Sequence, residues 1–104
     1  MLKKGSKLYV RIDSKNEDKN ATNQDFKDHM CFVNNLAKER HFVGGGFSGI
    51  DGGMILLEAK SIEEARKCLQ KDPIIERGLY NFELYEWDLV VLSDDIDAEI
   101  LSIY

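Results

Sequence analysis

Proline and tryptophan occur once each in this chain of 104 residues, and cysteine and histidine twice each. These scarcities exclude several kinds of protein. Cys31 and Cys68 fall in separate predicted helices, with no Cys-x-x-Cys pair and no Cys/His cluster. A disulfide framework and a zinc site are therefore not expected. Lys3 and Lys4 have no apolar segment behind them, so no secretory signal is read, and both thiols are expected to be reduced in the cytoplasm. No apolar run approaches the ~20 residues of a membrane span. Positive charge is also scarce: 14 Lys and Arg stand against 19 Asp and Glu, for a net charge of −5. The basic residues form no stripe and would release few counterions from a phosphate backbone, so neither nucleic acid nor membrane is an expected partner.

The hydrophobic fraction of 43% and charged fraction of 32% describe a soluble globular chain with one modest core. From Lys7 to Asp13 the pattern alternates. Leu8, Val10 and Ile12 face one way and Tyr9, Arg11 and Asp13 the other, which predicts a strand whose second face is polar. Ser14 to Asn23 is polar and aperiodic, and reads as a mobile loop. Phe26, Met30, Val33 and Ala37 form an apolar stripe that predicts a helix from about Gln24 to Arg40 or His41.

Six of the eight glycines fall between Gly44 and Gly53. Phe42 to Phe47 reads as a short strand weakened by glycine, Ser48 to Gly53 as a turn with Asp51-Gly52 as its hairpin signal, and Met54 to Ala59 as a strand buried on both faces. Ser61 and Glu64 have the spacing of a capping box, which starts a second helix, and Asp72-Pro73 stops it. Ile74 to Leu79 reads as a turn or single helical turn. Tyr80 to Leu92 reads as a long last strand with a bulge between Leu84 and Tyr85. Ile96, Ile100 and Ile103 predict a short C-terminal helix. The resulting order, βαββαβ, is the ferredoxin-like arrangement: an α+β fold with a four-stranded antiparallel sheet and helices on one face. The bare face of such a sheet predicts a homodimer.

Gly44-Gly45-Gly46-Phe47-Ser48-Gly49 matches G-x-G-x-x-G but leads into a strand, whereas a dinucleotide site needs a helix N-terminus. The match therefore reads as a hairpin and close packing, and no cofactor is indicated. His29 lies at the edge of the helical stripe. A boundary histidine is commonly structural, but its titration near neutrality suits acid–base work if it has a partner. Asp72 is the best partner, although its plainer role is to end a helix. Asp28 points elsewhere on the helix. His41 reads as a favourable charge at a helix C-terminus. Tyr85 and Trp87 belong to the core or a dimer interface.

A set of pieces resembles the YciI-like (YCII-related) family of dimeric α/β-barrel proteins. They are His29 followed by Leu36, Phe42 to Phe47, Gly53 through Met-Ile-Leu-Leu-Glu-Ala-Lys-Ser-Ile-Glu-Glu-Ala, Asp72-Pro73, and Glu86-Trp87. The resemblance spans roughly Lys7 to Val91. It implies one domain over residues 1–104, with a core at about 7–92 and protomers whose sheets pack face to face; the polar loop at Ser14–Asn23 and the acidic extension at 93–104 depart from the family. It implies His29 and Asp72 as active-site residues of a small enzyme of lyase, isomerase or hydrolase type acting on a small organic molecule. In that reading Tyr9, Arg11 and Ser48 are expected to line its pocket. Asp25 and Phe26 stand where a basic residue would precede the helix histidine, which argues against an anionic substrate. The alternative is a non-catalytic homodimer that binds a small molecule or another protein. A His29–Asp72 hydrogen bond in a concave pocket would separate the two.

Overall fold

Strand β1, Lys7–Lys15, is the spine of the molecule, a computed structural model that describes residues 5–93. It pairs antiparallel with both β3, Gly52–Leu57, and β4, Tyr80–Asp88. Strand β2, Phe42–Gly46, pairs with β3 at the edge, so the sheet order is β2-β3-β1-β4. Helices α1, Asn23–Glu39, and α2, Ile62–Leu69, and the single turn α3, Pro73–Glu76, complete the element order. This is the α+β, four-stranded antiparallel arrangement expected from the pattern. The predicted C-terminal helix lies outside the described residues.

Alternation along β1 decides which face is inside. Tyr9, Arg11 and Asp13 are buried on the helix side. Tyr9 joins Val33, Leu36, Phe42, Ile55, Leu57, Ala65 and Leu69 in the main core, and Ile74, Leu79 and Tyr80 form a second cluster. On the opposite face Ile12, Met54, Tyr85 and Trp87 are exposed, and no helix among the described residues covers them. Two expectations change as a result. Within the chain, β3 buries Gly53, Ile55 and Leu57, while Met54 stands on the open face. Of the two places expected for Tyr85 and Trp87, the core of the chain is not where they lie.

The last strand contains no bulge. Its register with β1 runs unbroken from Lys7↔Asp88 to Lys15↔Tyr80. The apparent shift at Leu84 and Tyr85 arises because both faces of β4 are partly apolar: Tyr80, Phe82 and Leu84 point to the helices, and Tyr85 and Trp87 point away. The strand also stops at Asp88, short of Leu92.

Local chemistry sets the other boundaries. α1 opens with a capping box the pattern did not reveal: the Thr22 hydroxyl accepts from the Asp25 N–H at 3.1 Å, and the Asp25 carboxylate accepts from the Thr22 N–H at 2.8 Å. At α2 only half of the expected box forms. The Ser61 hydroxyl accepts from the Glu64 N–H at 3.1 Å, but the Glu64 carboxylate turns to Arg40 at 2.9 Å. The β2–β3 hairpin closes through the Phe47 N–H to the Gly52 carbonyl at 2.9 Å, with the left-handed position at Gly49, φ +86°. The turn is therefore wider than an Asp51-Gly52 two-residue hairpin. His41 lies beyond the last helical residue and contacts Glu58 at 2.6 Å.

Candidate functional site

Asp72 is wholly buried and terminates one element while starting another. Its N–H donates to the Leu69 carbonyl at 3.2 Å, closing the end of α2. Its Oδ1 accepts from the Ile74 N–H at 3.2 Å, capping α3, with Pro73 at the first helical position. The Asp-Pro pair therefore does more than stop a helix: it pins a carboxylate against the sheet.

His29 meets that carboxylate from α1. It lies one turn before Val33 on the buried face of the helix, and its Nδ1 is 2.9 and 2.8 Å from Asp72 Oδ1 and Oδ2. A carboxylate facing Nδ1 selects the tautomer with the proton on Nδ1 and leaves Nε2 as the free ring nitrogen. The His29 side chain keeps 18% of its surface exposed, whereas that of Asp72 keeps none.

Arg11 stands behind the pair, inside the protein. Its Nη2 donates to Asp72 Oδ2 and to Asp13 Oδ2, each at 2.9 Å, and its Nη1 donates to the Leu69 carbonyl at 3.1 Å. Its Nε lies 2.8 Å from Asp13 Oδ1, a charge contact whose angle makes no hydrogen bond. Burial pushes the Asp72 carboxyl up, but the His29 hydrogen bond and the Arg11 charge outweigh it and hold the group below the usual aspartate range. At Asp13 burial prevails over the Arg11 charge and raises the carboxyl above that range, with the Asp72 charge adding to the rise. Two carboxylates sharing one guanidinium thus have opposite tendencies.

The front of this cluster opens into a cleft of about 460 Å³. Asp13, His29 and Asn34 are its polar side chains; Phe26, Met30, Val33, Phe42, Ile55, Ile74 and Tyr80 are among its apolar ones. Gly44, Gly45, Gly46, Gly52 and Gly53 leave one wall almost free of side chains. At Gly53 this bareness is obligatory, because a Cβ would stand 2.6 Å from the Gly45 carbonyl oxygen. The glycines serve close packing and cleft shape.

His29 and Asp72 are brought together as the sequence reading required. Tyr9, Arg11 and Ser48 are not among the residues lining the cleft. The Tyr9 hydroxyl donates to Glu86 at 3.2 Å, and Arg11 is enclosed behind the cleft. Asp25 and Asp28 turn to Arg77, at 2.8 Å each. Cys31 and Cys68 are free thiols, and burial pushes the Cys68 thiol up. Sequence reasoning missed Asp13 as a lining residue. The signal was its place two residues after Arg11 on the polar face of an alternating strand.

Comparison with known proteins matches residues 7–88 to the YCII-related domain. The chain belongs to the YCII-related family. A relative in that size range is the uncharacterised protein YjpA of Bacillus subtilis (strain 168), 30% identical over 82 residues, which cover 79% of this chain and 91% of YjpA. Among solved structures, the fold is similar to 5-chloro-2-hydroxyhydroquinone dehydrochlorinase (TftG) from Burkholderia phenoliruptrix AC1100, in complex with 2,5-dihydroxybenzoquinone. The TM-score is 0.63 at 20% identity, covering 78% of this chain and 93% of TftG. That likeness is one of fold. Among the described residues, no helix of this YCII-related chain is long and apolar enough to cross a membrane.

Proposed function

We propose that this YCII-related protein is a small enzyme that moves protons on a small, largely apolar organic molecule held in the cleft. The supporting observation is the His29–Asp72 contact, 2.8 Å from ring nitrogen to a fully buried carboxylate, at the mouth of a concave site. His29 Nε2 takes a proton from a substrate C–H or O–H. Asp72 fixes the tautomer and stabilises the imidazolium that forms, and the imidazolium then returns the proton elsewhere on the molecule or to a leaving group. An elimination or a proton-shifting isomerisation has this form. The name of TftG, a dehydrochlorinase, describes loss of a proton and a chloride, which likewise requires a proton acceptor. We place the protein in the cytoplasm, a reading supported by its two free thiols.

We also propose a homodimer formed through the open sheet face. Ile12, Met54, Tyr85 and Trp87 are exposed there among the described residues, and family resemblance favours a second copy as their partner.

The acid–base reading is tested by hydrogen–deuterium exchange at acidic C–H positions of a panel of cyclic ketones, lactones and dihydroxyquinones, followed by NMR. The wild-type protein is expected to accelerate exchange on one class, and H29Q to lose about 10²–10⁴-fold of that acceleration. Equal rates for wild type and H29Q, with the cleft shown to be occupied, would leave a non-catalytic binding protein instead.

A further inference from the structure

Asp13 borders the cleft, but both of its carboxylate oxygens are turned to Arg11. Oδ2 accepts from Arg11 Nη2 at 2.9 Å, and the enclosed Oδ1 lies 2.8 Å from Arg11 Nε. The same Nη2 donates to Asp72 Oδ2 at 2.9 Å, and that oxygen is 2.8 Å from His29 Nδ1. Asp13, Arg11, Asp72 and His29 therefore form one continuous row from the interior to the cleft, and His29 is its most exposed member. Asp13 decides the net charge of that row. Asp72 against Arg11 alone is neutral, so an imidazolium formed on His29 would leave the row at one positive charge. With Asp13 ionised, the three groups behind His29 carry one negative charge, and protonation of His29 brings the row to neutrality. No lysine or arginine is among the residues lining the cleft to balance the charge instead. An unbalanced charge is costly in a poorly hydrated interior, so the neutral row with a protonated His29 is favoured.

We propose that Asp13 is a positioning residue for proton transfer: acting through Arg11 and Asp72, it increases the basicity of His29 and compensates the imidazolium that forms when His29 takes a proton. The catalytic use rests on His29 being the proton acceptor, as proposed above; the charge coupling does not. Geometry carries it, and the two groups act on one another. The His29 charge lowers the Asp13 carboxyl, against the larger effect of burial, which raises it. Such an interaction is reciprocal, so ionised Asp13 favours charged His29 to the same extent. Arg11 on β1, Asp72 at the α2–α3 junction, His29 on α1 and Tyr80 on β4 are the charged or titratable groups facing Asp13. β3 places the uncharged Gly53 opposite it. On α1 itself, Asp25 and Asp28 are turned to Arg77.

The test titrates the His29 ring by ¹H–¹³C NMR in the full chain, without ligand, in wild type and D13N. Removing one buried unit charge, at an effective dielectric of about 20, is expected to lower the His29 midpoint by about 0.5–1.5 pH units. The reciprocal arm follows the Asp13 carboxyl by ¹³C NMR in wild type and H29Q, where its midpoint is expected to rise by a similar amount. The pH profile of the exchange activity should move with the His29 midpoint in D13N. A purely structural Asp13 would lower stability without these paired shifts. If D13N does not fold, the H29Q arm decides alone. If wild type shows no exchange activity, the catalytic reading fails, while the paired shifts still support the coupling. A His29 midpoint unchanged or raised in D13N, or an Asp13 midpoint unchanged or lowered in H29Q, would overturn the proposal.

Discussion

Arg11 and Asp72 meet at 2.9 Å with no exposed surface on either side chain, one from the central strand and one from the junction of two helices. A buried pair of this kind is weak as a source of net stability, but removing one partner leaves a charge uncompensated. Arg11→Met strands both Asp13 and Asp72. It is expected to destabilise the protein by about 3–5 kcal/mol in urea unfolding. A loss under about 1 kcal/mol would show that the carboxyls simply take up protons.

Asp72 and Asp13 make opposite contributions to the pH dependence of stability. The Asp72 carboxyl is held below its unfolded value, so its stabilisation is present above the unfolded range and is lost as pH falls through the folded value. The Asp13 carboxyl is raised, so between its unfolded and folded values the native state binds more protons, and stability falls as pH rises through that window. Urea midpoints measured from acid to neutral pH are expected to show this decline in wild type and to lack it in D13N. The same decline in D13N would assign it to another group.

Thr22 is the entry to the helix that carries His29. Its hydroxyl caps the Asp25 N–H, and Asp25 in turn binds Arg77 at 2.8 Å. Thr22→Ala should cost about 0.5–2 kcal/mol. Amide exchange should quicken first in the opening turn of α1; uniform quickening would instead mean global destabilisation.

Gly53→Ala places a methyl group against the Gly45 carbonyl at 2.6 Å, inside the β2–β3 ladder. Thermal unfolding is expected to show a loss of about 1–3 kcal/mol, the usual cost of overpacking. Gly45→Ala meets nothing within 4 Å and serves as the control. Equal effects at the two positions would refute the steric account.

Trp87 and Tyr85, at 48% and 49% exposure, mark the open sheet face. Sedimentation at micromolar concentration should give a dimer for wild type and a monomer for Trp87→Glu. A wild-type monomer would remove the homodimer proposal.

Much of this molecule is legible along the chain. Period-2 alternation at Lys7 to Asp13, the apolar stripe from Phe26, the glycine-rich hairpin and the Asp-Pro stop are local signals, and they suffice for the βαββαβ order. They leave His29 and Asp72 as candidates, and the family resemblance is what names them as a pair. The bulge expected in β4 shows where local reading fails, because alternation cannot distinguish a slipped register from a strand with two half-apolar faces.

The sequence by itself determined the order of the elements and the family and singled out His29 and Asp72 as candidates, because propensity, capping and periodicity act over a few residues. Only the tertiary structure decided that the polar face of β1 points inward. Whether Arg11 faces water or two carboxylates depends on Asp72, 61 positions away, arriving beneath the helices. Charge pairing in a buried site is a property of that convergence, and it turns Arg11 from an expected pocket residue into the enclosed cation behind Asp13, Asp72 and His29.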